Sequence, residues 1–166
     1  VVGVQNGSVQ LASTSQAVAG APHTLNTTGR VVRHANASCD DAIDTDELAL
    51  PLDIDFGTGV HFINVDVHNL GHDINQALLD VDSTSALSTP FAFVGGLADG
   101  IGASPATLTF SFDSDGLKDG RYNANITIGT SDEDIPGQAG ANLLLTLTVT
   151  VGTVTPCPAD VTGDDL

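Results

Sequence analysis

Basic residues are what this 166-residue chain has least of among its charges: four Lys and Arg stand against 21 Asp and Glu, a formal net charge of −17. A field of that sign repels phosphodiester backbones and anionic lipid, which argues against nucleic acid or a membrane surface as partner. It suits a soluble surface in salty water and welcomes divalent cations. Aromatic residues are 4% of the chain, and Trp and Met are absent. The core must therefore be built from Val, Leu, Ile and Ala, with six Phe as its large pieces. A sugar-stacking platform is disfavoured for the same reason, since it needs exposed aromatics. No apolar run approaches the roughly 18 residues of a membrane helix, so no membrane insertion is expected. The chain opens on Val1 rather than Met, as a processed product does once a signal peptide has gone.

Cysteine is scarce too. Cys39 and Cys157 are the only two, and neither lies in a CxxC or Cys/His spacing that would hold zinc. In a secreted or cell-surface chain, the compartment the composition points to, they are expected to pair. That bridge would close a loop of more than a hundred residues and contribute about 4–5 kcal/mol in the chain-entropy account.

Helix signals are nearly missing. The best candidate is DDAIDTDELAL at 40–50, acidic at its start and cut off by Pro51. Elsewhere the hydrophobic period is two. The stretches starting at Arg30 (RVVRHA), Val60 (VHFINVDVHNL), Gln76 (QALLDVDS), Ala106 (ATLTFSF), Arg121 (RYNANITIGT) and Asn142 (NLLLTLTVTV) read as strands. GGLADGIG, DSDG, KDG and SDEDIPG between them are turn vocabulary. In the last strand Leu143, Leu145, Leu147, Val149 and Val151 point one way, and Leu144, Thr146, Thr148 and Thr150 the other. Short alternating strands at this spacing predict an all-β protein, an antiparallel immunoglobulin-like β-sandwich over 29–152. Residues 1–28 are expected to form an extended N-terminal arm with strand propensity at 1–18 and a loop after it, and 153–166 a C-terminal tail. The arm has too few large apolar residues to bury itself, so it must lie along an edge of its own sandwich or of a neighbour's. Val4, Val9 and Leu11 are its candidate contact residues. The net negative charge opposes such self-association, so added salt or calcium would be expected to promote it.

Two segments carry a family resemblance. Phe56-Gly57-Thr58, Asn69-Leu70-Gly71, Asp119-Gly120-Arg121-Tyr122, Ile126 to Asp134 with Pro136, and Leu143 to Val151 occur in the order found in Hydin-like immunoglobulin-fold domains of bacterial secreted proteins. The match spans roughly residues 47–152, and the resemblance implies a non-catalytic spacer, adhesion or assembly module. The closing CPADVTGDDL resembles the start of a type I dockerin-like calcium repeat, with Asp160, Thr162 and Asp164 at the first three ligand positions. Asp165 stands where that loop wants Gly, and the acid at position twelve is not reached.

The remaining chemistry is sparse. His61, His68 and His72 fall close together beside Asp66 and Asp73, a spacing compatible with zinc or copper or with solvent-facing strand histidines. Three acidic groups could hold calcium or simply be solvated: Asp40, Asp41, Asp44, Asp46 and Glu47, the densest; Asp113 and Asp115; and Asp132, Glu133 and Asp134. Sequons at Asn6, Asn26, Asn36 and Asn125 would mark surface in a glycosylating organism. No nucleophile elbow, P-loop or dinucleotide fingerprint is present. The expectation is therefore a secreted structural or assembly module and not an enzyme, its partner a second copy or another surface protein. The alternative is an accessory module, carbohydrate-binding or adhesive, of a larger dockerin-type enzyme.

Overall fold

The computed structural model describes residues 1–11, 23–54, 59–135 and 137–152, and they form an all-β protein. Its centre follows from the period-two sequences. β9 (Ala106–Asp113) turns Ala106, Leu108, Phe110 and Phe112 inward, and β5 (Val60–Asn69) turns in Ile63, Val65 and Val67. These two strands pair antiparallel over eight residues. With the short β3 (Ala37–Ser38) at one side and β7 (Phe91–Gly95) at the other they make a four-stranded sheet, ordered β3-β5-β9-β7.

The facing sheet is built on β10 (Gly120–Asp132) and β11 (Gly140–Val151), paired antiparallel so that Ile126 lies opposite Leu145 and Ile128 opposite Leu143. β6 (Leu79–Thr84) and β8 (Ala98–Ile101) extend it on one side, and β4 (Glu47–Ile54) on the other, giving the order β4-β11-β10-β6-β8. One apolar cluster joins both inner faces. Within it Phe110 packs on Phe93 and Phe112 on Phe91 and Tyr122, with ring centroids 5.0–5.8 Å apart in tilted geometry, the arrangement the aromatic quadrupole favours.

Two local expectations are corrected. Residues 40–50 are not helical. Ser38 Oγ accepts hydrogen bonds from Asp40 N and Thr45 N, and Asp40 Oδ1 accepts from Ala42 N and Ile43 N, so side chains satisfy the amides that a helix would have used. The chain then runs parallel to β11 from Glu47, with Leu48, Leu50 and Leu52 half-buried against the core. Pro51 is tolerated because β4 is an edge strand. The second correction concerns GGLADGIG, which contains β8 and is not only a turn. Gly96 (φ 110°) and Gly100 (φ 71°) supply its left-handed positions.

The N-terminal arm also differs from expectation. β1 (Gly3–Leu11) does not lack a partner: it pairs antiparallel with β2 (His23–Val31) in a separate two-stranded sheet. The stretch at 23–29, expected as loop, is the second strand of a hairpin, and the strand expected at RVVRHA ends at Val31.

Candidate functional site

Among the described residues the hairpin strands are the most exposed elements. Every residue of β2 is solvent-exposed, as is all of β1 but the half-buried Gly3. A free two-stranded ribbon is marginal in water without something to pack on. Its register sorts the side chains onto two faces, because opposite residues of an antiparallel pair share a side. Val9 faces Leu25, Leu11 faces His23 and Gly3 faces Val31 on one side, together with Gly7 and Gly29. Val9, Leu11, Leu25 and Val31 are 47–58% exposed there. The other side carries Asn6, Ser8, Gln10, Thr24, Asn26, Thr28 and Arg30, with Thr28 Oγ1 donating to Asn6 Oδ1 at 3.1 Å. Val4, paired with Arg30, lies on that polar side. The three residues expected to act together are therefore split: Val9 and Leu11 share the apolar face, Val4 does not, and Leu25 and Val31 take its place.

The root of the hairpin is pinned to the sandwich by groups far away in sequence. Asp132, at the end of β10, has a side chain only 2% exposed. Its Oδ2 lies 2.6 Å from His34 Nδ1 and accepts from Ala139 N at 3.0 Å, while its Oδ1 accepts from Ala35 N at 2.6 Å. Burial by itself would raise this carboxyl, but the bonds from His34, Ala139 N and Ala35 N outweigh it and hold the group below the ordinary carboxylate range. Beside it Arg33 exchanges backbone bonds with Asn75 and Ala77 and forms a surface ion pair with Asp73 at 2.9 Å. Asp73 is also lowered, first by the amide of Asn75 and then by Arg33. Buried Asn69 completes the anchor. Its Oδ1 accepts from Asn36 N and Gln76 Nε2, and its Nδ2 donates to the carbonyls of Ala77 and Ile101. Segment 33–36 is thus held at each residue, whereas the ribbon before it makes no hydrogen bond or ion pair to the sandwich among the described residues.

The other candidates are dispersed. Among the described residues no three His, Cys, Asp or Glu side chains gather as a metal ion requires. Asp40 is folded onto its own loop, its carboxyl lowered mainly by the amides of Ala42 and Ile43, and Asp41, Asp44, Asp46 and Glu47 are exposed around it. Asp132 is separated in role from Glu133, which accepts from Leu78 N, and from exposed Asp134. His72 contacts Asn69, while His61 lies 3.3 Å from Ser114 Oγ. That hydroxyl is buried and bonded to Gly59 O, so the pair fastens the end of β5 to β9 and offers no accessible nucleophile. Cys39 forms no disulfide among the described residues and is half-buried. Burial first, and then the nearby Asp46, push its thiol upward. Cys157, Phe56-Gly57-Thr58 and the tail acids Asp160, Asp164 and Asp165 lie outside the described residues.

Sequence reasoning missed the root. His34 and Gln76 carry no motif, Asn69 enters only through the Asn69-Leu70-Gly71 resemblance and Asp132 only through the same resemblance and an acidic trio, and His34 and Asp132 are 98 positions apart. The signal that could have found Asp132 is its phase: it shares the inward parity of Ile126 and Ile128 on β10, where a carboxylate must have partners.

No family model and no curated protein matches the chain. Among solved structures it is similar to the VesB protease of Vibrio cholerae, at 11% identity and a TM-score of 0.44, over 64% of this chain and 30% of that one. A likeness of that size carries no inference for this protein.

Proposed function

We propose that this chain is a non-catalytic extracellular structural or assembly module, an immunoglobulin-like sandwich that joins further copies through its N-terminal hairpin by strand addition. One observation carries it: a rigidly rooted hairpin carries two nine-residue strands whose outer edges pair with no other strand among the described residues and whose apolar side is exposed. Such edges recruit another chain unless they are guarded, and this ribbon has neither proline nor lysine in its strands, with Arg30 as its one Lys or Arg. The immunoglobulin-like assignment is supported by the first strands, which start in one sheet as β3 and cross to the other as β4, parallel to the last strand.

Deletion of residues 1–31 tests the function. No residue before Ala35 belongs to the apolar core, so the shortened protein should melt within a few degrees of the full chain. Full-length protein should form higher-order species by light scattering and electron microscopy, and the deletion should remain monomeric. A full-length protein that stays monomeric, or a deletion that assembles as well, refutes the proposal.

The extracellular half of the reading rests on composition and includes a bridge between Cys39 and Cys157. Intact mass before and after reduction and alkylation decides this. Two thiols alkylated without reductant would exclude the bridge.

A further inference from the structure

The hairpin differs from the rest of the molecule in charge as well as exposure. Residues 1–39 contain Arg30 and Arg33 and not one Asp or Glu; all 21 acids lie beyond them, against Lys118 and Arg121 alone. The chain is therefore a cationic, partly apolar arm on a strongly anionic body. Arg33 is occupied by Asp73, whereas Arg30, on the ribbon itself, has no ion pair among the described residues.

The body has an edge that fits this arm. β3 pairs with β5 only at Asn69 and His68, and the chain then leaves for the opposite sheet as β4. Residues Val60–Val67 consequently have no strand on their outer side among the described residues, although their inner side pairs with β9 at all eight positions. The open edge contains no proline, unlike β4 with Pro51. Its length, eight residues, matches the nine-residue strands of the hairpin. Phe62 and Val60 stand 67% and 54% exposed on its solvent face, which also carries Asp66, and the side of the hairpin that bears Val4 and Arg30 could continue that face. Exposed Asp66 lies on the edge strand itself and Asp113 opposite Val60, while Asp40, whose carboxyl feels His68, marks the far end.

We propose that the outer edge of β5, residues 60–67, receives the hairpin of a second copy, drawn there by attraction between the arm's arginine and the acids along that edge. This rests on the assembly function proposed above and names its acceptor. The contact is heterologous, arm of one copy to edge of the next, so it propagates unless it closes into a ring. It also reverses the salt dependence that the net charge alone implies. Net charge sets a repulsion between bodies that salt relieves, but at the junction opposite charges meet, and screening weakens them.

The test replaces exposed Phe62 by the photo-crosslinker p-benzoyl-L-phenylalanine in full-length protein, mixed with an isotopically heavy wild-type copy. Irradiation should join position 62 of the light copy to residues 3–31 of the heavy one. The concentration for half-assembly should rise about tenfold between 50 and 500 mM NaCl, the scale of losing ~1.4 kcal/mol, and Arg30→Glu should raise it similarly at low salt. If the protein assembles but crosslinks map elsewhere, or salt promotes assembly, this acceptor is wrong while the assembly function stands. Crosslinks confined within single light chains mean that the arm folds back on its own body, which overturns it. Absence of assembly at both salt concentrations overturns both proposals.

Discussion

Gly96→Ala should destabilise the protein by about 3 kcal/mol or more, while Gly95→Ala, one residue earlier, should change stability by less than about 1 kcal/mol. Gly96 has φ 110°, a region that L side chains rarely adopt, and a Cβ there would overlap the carbonyl oxygen of Thr107 and approach Leu108 Cα within 2.9 Å. Both obstacles are backbone of β9, whose side chains Leu108 and Phe110 are the middle of the core. Backbone in a paired strand cannot yield without disturbing the ladder of β7 on β9, which already shifts register between Phe93 and Gly95. Gly95 has no atom within 4 Å of a Cβ placed on it and needs no left-handed conformation. Urea unfolding of the two variants is the measurement. Equal stabilities would show that the β7–β8 connection is free to re-form.

Asp132→Ala should cost about 3 kcal/mol, because it takes the charged acceptor from the amides of Ala35 and Ala139 and unties His34. For a domain of this size that is a fall in melting temperature of about 6–12 °C. A second effect should be local: protease should cut the hairpin root faster in this variant, since segment 33–36 loses one of its two side-chain anchors. The pH dependence follows from the lowered carboxyl. A group held below its unfolded value, near 3.9 for Asp, stabilises fully above that value and loses its contribution as pH falls through the folded one. The stability gap between wild type and variant should therefore be constant from neutrality down to about pH 5 and close below about pH 4. A gap of the same size at pH 2 would contradict the assignment.

The strands whose parity alternates apolar and polar were legible: β5, β9, β10 and β11 lie where Ile63, Leu108, Ile126 and Leu145 placed them. β4 was hidden by its acids. Asp40, Asp41 and Asp44 imitate a helix start, and only Ser38 and Asp40 acting on their own loop show otherwise. The later alternation Leu48, Leu50, Leu52 was in view and is of period two. β2 could not be read because HTLNTTGRV has a single large apolar residue before its last position; its order comes from main-chain pairing, which side chains do not encode. The arm was legible as an element needing a partner, yet not as one that supplies half of that partner itself. The root was hidden by distance along the chain, since Asp132 and Asn69 act on residues 33–36 from two different sheets.

The parallel pairing of β4 with β11 decides how the sandwich bears tension. A pull that enters before Glu47 and leaves after Val151 draws these two strands in opposite directions along their common length. Their eight registered positions, Glu47 with Leu144 through Ile54 with Val151, are then sheared together instead of unzipped one at a time. Mechanical strength in such a geometry depends on the whole row failing at once.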